Sequence, residues 1–247
     1  GLTPNPCVVC NKEIKFGLLL EKALKLEADF VATGHYARKG IVKNQNSKGK
    51  SFKLLKGKDK EKDQSYFLWM LNQKQLKRIL FPIGNYTRAE VEKLAKKFKL
   101  PFAGVRKSQE ICFIKTTIND FLKRYLKSKP GQIVDNKGRV LGQHQGLWFY
   151  TIGQRKGIGL PGGPYYVLDK DLRRNILIVT KNEKDLYKKE LIAKNVNWIS
   201  NETPKSSLKV QAKIRYRHKP AKATITKILN SKFYILKFAR PQRAITP

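Results

Sequence analysis

Two thiols three residues apart open the chain. In GLTPNPCVVCNKEIKF, Cys7 and Cys10 are two of only three cysteines in 247 residues, the third being Cys112. From Asn11 the apolar residues Ile14, Leu18, Ala23 and Leu24 recur at helical spacing, so the pattern predicts a helix entered at Asn11, directly after the pair. A cysteine just ahead of a helix feels the partial positive charge of its N-terminus, which favours the thiolate and makes Cys10 a candidate nucleophile. The same C-x-x-C spacing serves two other chemistries. A structural zinc ion takes four ligands, and only Cys112, His35, His144 and His218 could complete the set. A thioredoxin-like redox pair needs a short βαβ context, which this stretch lacks. Cys112, in SQEICFIK, has apolar neighbours, and its residues alone read as a buried, inert thiol.

The elements that must carry these thiols follow from patterning. Hydrophobic residues make up 40% of the chain and no apolar run approaches membrane-spanning length, which describes a globular protein rather than a membrane-spanning one. An odd, small number of cysteines argues against a secreted disulfide scaffold and for a reducing, cytoplasmic setting. The chain starts at Gly1 without an initiator Met and reads as a fragment. Residues 30–36 (FVATGHY) predict a strand, SYFLWML another, and Thr87 with Glu90 in TRAE a capping box for a helix to about Lys99, stopped by Pro101. This first region, residues 1–118, mixes strands and helices as an α/β domain does. Beyond Asn119 short strands are broken by DNKG, LPGGP and DKDLRRN, giving a β-rich central domain over 119–185 and a β-barrel over 186–247.

Charge sharpens toward the end. The whole chain carries 53 Lys or Arg against 18 acids, a formal charge of +35, which suggests a polyanionic partner such as nucleic acid. Lys outnumbers Arg 40 to 13, so biased codon usage accounts for the excess equally well at this level. In KVQAKIRYR, Val210, Ala212, Ile214 and Tyr216 alternate with Lys209, Gln211, Lys213, Arg215 and Arg217, so one long strand would bury the first set and expose the second. AKATITKI predicts its partner after a turn at His218–Pro220. A small barrel with a basic face fits a phosphate backbone.

GLTPNPCVVCNKEIKF, ATGHY, KDQSYFL, ICFI, HQGLWFYTIGQRKGIGL and YYVLDKDLRRN, in this order, resemble the tRNA-specific 2-thiouridylases, along the whole chain. The resemblance implies the remainder of a PP-loop (adenine-nucleotide α-hydrolase-like) domain, then a small β domain and a β-barrel. It also implies an enzyme that replaces the C2 oxygen of a wobble uridine with sulfur, using ATP with magnesium and a persulfide donor such as a cysteine desulfurase or sulfur-relay protein. The family's SGGVDS phosphate loop is not among these residues, so a tRNA-binding module without catalysis is the competing reading.

By motif, the resemblance makes Cys10 the nucleophile and Cys112 the persulfide carrier, joined in a Cys10–Cys112 disulfide during turnover. It puts Asn5, Pro6 and Cys7 at the target base, Gly34 against ATP, and His35, Lys62, Asp63, Gln64, Arg215 and Tyr216 against tRNA. Gln154, Arg155 and Lys156 are further candidates for RNA contact. Each has a plainer alternative: a turn glycine at 34, a packing histidine at 35, a polar loop at 62–64, solvated turn charges at 154–156. Many family members carry Asp where this chain has Cys7. Three cysteines would instead suit an iron–sulfur cluster with one open iron, a second implied route to the sulfur transfer.

Overall fold

The computed structural model of the chain describes residues 3–43, 50–101, 111–112, 114, 116–229 and 231–246. It divides into two compact units, one made of Asn5–Ile111 with Asn197–Pro204, the other of Gly1–Pro4, Cys112–Val196 and Lys205–Pro247.

The first unit begins with helix rather than with a turn. α1 (Pro6–Val9), a π-helical stretch (Cys10–Leu18) and α2 (Leu19–Lys25) follow one another directly, so the predicted start at Asn11 is corrected to Pro6. Asn5 is the reason: its side chain and backbone oxygens accept from the Val8 amide at 3.4 and 3.2 Å, and Pro6 supplies the ready-made φ of a first helical residue. The buried residues of this helix are Val8, Asn11, Phe16 and Leu20. A five-residue step from Asn11 to Phe16 would fall about 140° round an α-helix, but hydrogen bonds that reach back five residues close one turn over it and keep Phe16 on the inner face. Gly17 permits the wide turn, since a Cβ there would lie 2.9 Å from the Lys12 carbonyl oxygen.

Phe16 then packs with Ala37, Leu68, Leu71, Leu76 and Ile79 in the core of the unit. β1 (Val31–Ala32) runs parallel to β4 (Ile79–Leu80), and β2 (Ala37–Lys43) pairs antiparallel with β3 (Lys50–Lys56). The strand predicted over 30–36 is therefore two residues long, because Thr33–Tyr36 leaves the pairing to form the link into β2. SYFLWML is not a strand: Ser65–Phe67 is a 3-10 turn, and Leu68 and Leu71 beyond it point into the core. Both α3 (Gln73–Arg78) and α4 (Arg88–Lys97) start with full capping boxes, Asn72 with Gln75 and Thr87 with Glu90. Residues 197–204 return to this unit, where the Asn197 amide donates to the carbonyls of Trp69 and Leu71 and Ile199 packs on the core.

The second unit holds α5 (Ile118–Tyr125) and, among its described residues, two four-stranded sheets. One has the order β6 (Val140–His144), β5 (Gly131–Asp135), β8 (Ile176–Thr180), β7 (Tyr166–Asp171); DNKG and DKDLRRN form its hairpin turns. The other has the order β10 (Leu208–Ala212), β11 (Ala221–Lys227), β12 (Tyr234–Arg243), β9 (Tyr187–Ala193). The predicted pairing of KVQA with AKATITKI holds, from Leu208↔Ile225 to Ala212↔Ala221. The predicted length does not. The strand stops at Ala212, and residues 213–220 are bends and turns closed by the His218 amide on the Arg215 carbonyl.

Candidate functional site

The capped helix start places Cys7 and Cys10 one turn apart, both half-buried, with buried Val8 and Asn11 between and after them anchoring the inner face. Asn11 was no candidate in the sequence, yet its amide donates to the Phe67 carbonyl at 3.1 Å and ties the thiol-bearing turn to the 3-10 segment. A polar residue at i+1 from Cys10 and in phase with Val8 was the available signal. Asn5 is the cap of this helix, so its side-chain oxygen is engaged by the Val8 amide.

Phe16 links this helix to the ATGHY segment, with its ring centroid 5.8 Å from that of His35. His35 is only 7% exposed, sits also against Phe81, and has its Nδ1 2.9 Å from Thr33 Oγ1. Burial, with a smaller push from the Lys15 charge, lowers its pKa to about 4, so it is neutral at physiological pH. The structure thus gives His35 a packing role. Gly34 behaves oppositely: it is exposed, its φ is not left-handed, and a Cβ would meet only Ile83 Cδ1 at 3.9 Å. Nothing in the fold itself requires glycine there, since a methyl group would make only ordinary van der Waals contact.

The KDQ stretch divides by residue. Asp63 is buried, and its carboxylate accepts from the Gly57 amide (3.0 Å), the Ser65 amide (3.2 Å) and the Ser65 hydroxyl (2.9 Å). Gln64 Oε1 accepts from the Tyr36 amide at 3.0 Å, while the Gln64 amide donates to the Tyr36 carbonyl at 2.9 Å. Gln64 therefore staples the loop to the segment after His35 and Asp63 ties it to Gly57 just after β3, whereas Lys62 is exposed. This unit brings together Asn5, Pro6, Cys7, Cys10, Gly34, His35, Lys62, Asp63 and Gln64; Cys112, Arg215 and Tyr216 belong to the other.

Cys112 is exposed, which corrects its reading as a buried core thiol; the neighbouring Ile114 takes the buried position. Much of its sequence neighbourhood, residues 102–110, 113 and 115, lies outside the described residues. No disulfide is present among the described residues. No group of three His, Cys, Asp or Glu among them is arranged to hold a metal ion, and the three cysteines are divided between the two units, Cys7 and Cys10 in one and Cys112 in the other.

Arg215 is not on an outward strand face. Its guanidinium donates to the Ile152 carbonyl at 2.7 Å and the Ala244 carbonyl at 2.8 Å, because the chain turns at 213–217 instead of extending. The exposed row of Lys209, Lys213, Arg215 and Arg217 is corrected accordingly: Lys213 Nζ lies 5.5 Å from the Tyr216 ring centroid, and only Lys209 of the four is on the strand.

Three family models match the chain: the tRNA methyl transferase HUP domain over residues 1–116, the tRNA methyl transferase PRC-barrel domain over 119–181, and the aminomethyltransferase beta-barrel domain over 188–247. Among curated relatives, the chain is 49% identical to tRNA-specific 2-thiouridylase MnmA 2 of Thermoanaerobacter sp. (strain X514), covering all of this chain and 67% of that protein. It is 51% identical to tRNA-specific 2-thiouridylase MnmA 1 of Caldanaerobacter subterraneus subsp. tengcongensis, over all of this chain and 67% of that one. To the Coxiella burnetii tRNA-specific 2-thiouridylase MnmA it is 43% identical, over all of this chain and 68% of that one. With HUP, PRC-barrel and β-barrel models matched in turn and relatives aligned along the whole of this chain, which spans about two thirds of their length, this chain belongs to the tRNA-specific 2-thiouridylase family.

Proposed function

We propose that the protein is a tRNA-uridine 2-sulfurtransferase that exchanges the C2 oxygen of a wobble uridine for sulfur. The observation that carries this reading is the exposure of Cys112 within an otherwise apolar ICFI, joined to a capped helix start that leaves Cys7 and Cys10 half-open. A core thiol would be closed to any sulfur donor.

ATP supplies the adenylyl group that turns the uridine oxygen into a leaving group, and Gly34 gives it room to approach. Cys112 receives the outer sulfur from a persulfide donor. The Cys10 thiolate then attacks the inner sulfur of that persulfide. The S–S bond breaks with its electron pair on the outer sulfur, which bonds C2 as the C2–O bond breaks and AMP departs. A Cys10–Cys112 disulfide remains, and a thiol reductant restores both groups for the next turnover. Asn5 and Pro6 shape the helix end near which the base is held, and Lys62 offers an exposed cation to the tRNA backbone.

The test is tRNA thiolation with ATP and a persulfide donor, scored by retardation of sulfur-bearing tRNA in a mercury-containing gel. Cys10→Ser and Cys112→Ser should each abolish product. Normal turnover by either variant would overturn the assignment, and tRNA binding without product in the wild type would favour a non-catalytic module.

A further inference from the structure

The central GQRKGIGLPGGPY stretch contributes nothing to the chemistry above, yet it is the most deliberately shaped loop of the second unit. Its base is fixed: the Gly153 amide donates to the Val167 carbonyl at 2.7 Å and the Val167 amide to the Gln154 carbonyl at 2.9 Å. Gln154 braces it from within, accepting from the Thr151 amide and donating to the Lys156 carbonyl. Ile158 is buried in the sheet core, and the glycines on either side of it adopt left-handed φ values of 75° and 78°. Those two reversals let one apolar side chain plug inward while Arg155 and Lys156 are thrown out to solvent.

The result is a groove of about 580 Å³ lined by Arg155, Lys156, Gly157–Leu160, Gly163, Pro164 and Tyr165. Lys181 Nζ stands 5.1 Å from the Tyr165 ring centroid, adding a third cation at its edge. Among the described residues none of the three cations is in an ion pair, although carboxylates elsewhere in the unit are taken up by Arg139, Arg174, Lys237 and Arg243. Unpaired cations on a rigid loop, a glycine wall that admits close approach, and an aromatic face are together the requirements for a phosphate with a flat group attached.

We propose that this groove binds one nucleotide of the tRNA strand, its phosphate against Arg155 and Lys156 and its base or ribose against Tyr165. The proposal rests on the tRNA-modifying reading above. It adds a contact site remote in sequence from the cysteines and from KDQ.

The experiment compares the chain with an Arg155→Gln/Lys156→Gln variant by fluorescence anisotropy on an unmodified tRNA transcript carrying a wobble uridine, across a salt series. Lys93→Gln/Lys97→Gln on α4 serves as the charge-matched control. The groove variant should bind roughly tenfold more weakly near 0.1 M salt and lose about one to two units of salt slope beyond the control, as expected for one or two lost phosphate contacts. Tyr165→Leu should weaken binding with the slope unchanged. Affinity and slope equal to the control would overturn the groove. If the groove variant instead loses affinity for free AMP while tRNA binding is unchanged, the occupant is a free nucleotide and the RNA assignment falls. Failure of the wild type to bind tRNA at all would sink the functional reading first, a result distinct from equality with the control.

Discussion

Gly34 and His35 are neighbours in ATGHY with opposite demands, and each supports a separate measurement. At Gly34 the fold tolerates a methyl group, with no contact closer than 3.9 Å and no left-handed φ. Gly34→Ala should therefore leave thermal stability within about 0.5 kcal/mol of wild type while raising the KM for ATP in the thiolation assay. A large loss of stability would return the residue to a purely structural role. His35 has a folded pKa of about 4 against an ordinary 6.5, so the unfolded chain takes up the proton first as pH falls. Stability present above pH 6.5 is lost progressively down to about pH 4, by roughly 3 kcal/mol from this one residue. His144 and His218 act in the same direction, both lowered chiefly by burial. His144 has a further constraint: its Nδ1 accepts from the Gly146 amide, a bond that protonation would break. Chemical denaturation at pH 7, 6 and 5 should show the fall, and His35→Asn should flatten it. At Cys7, Ala substitution should preserve appreciable turnover if Cys10 and Cys112 exchange sulfur directly. Loss of turnover together with iron and sulfide in an oxygen-free preparation would instead establish the cluster route.

The first helix shows how an element can be half legible. Its existence was readable from apolar spacing, as were the cap at Thr87 and the turns at DNKG and DKDLRRN, because those signals are local. Its inner face was not, since Ile14, Leu18 and Leu24 are exposed and Val8, Asn11, Phe16 and Leu20 are buried instead. The start was misjudged by five residues, since Asn5-Pro6 is itself a cap and first-turn signature that the cysteines obscured. The π stretch left no mark in a 3.6-residue period; only the five-residue gap from Asn11 to Phe16, with Gly17 beside it, records it. Gly17→Ala would press a methyl group against the Lys12 carbonyl and should cost about 1–2 kcal/mol, more than the usual effect of improving helix propensity would return. An unchanged or raised melting temperature would mean the wide turn relaxes freely. Asn5→Ala should cost about 1 kcal/mol through the lost cap. The inward turn of Arg215 was not legible at all, because it depends on backbone carbonyls 63 and 29 residues away, and the burial of Asp63 was hidden because its partners, the Gly57 and Ser65 amides, carry no side-chain signal.

For the whole molecule, 53 basic against 18 acidic residues leave a formal charge of +35 that the fold does not neutralise, so like charges press on one another in the compact state. Raising sodium chloride from about 20 mM to 0.5 M at neutral pH should raise the melting temperature as this repulsion is screened, even as tRNA binding weakens. A melting temperature insensitive to salt would mean that the surface lysines are too far apart to matter.

The guanidinium of Arg215 reaches two carbonyls that belong to different sheets' surroundings, Ile152 at the root of the central loop and Ala244 just after β12. Nearby, Arg243 holds Glu183 at 2.6 Å, and Gly153 approaches Ala244 so closely that a Cβ would fall 2.5 Å from the alanine methyl. Two sequence segments that match separate domain models are therefore welded at their seam. Amides on β7 and β12 should exchange with deuterium at a common opening rate, and the second unit should melt in one calorimetric step rather than two. Arg215→Met should split that step, uncoupling two barrels that the wild type can only lose together.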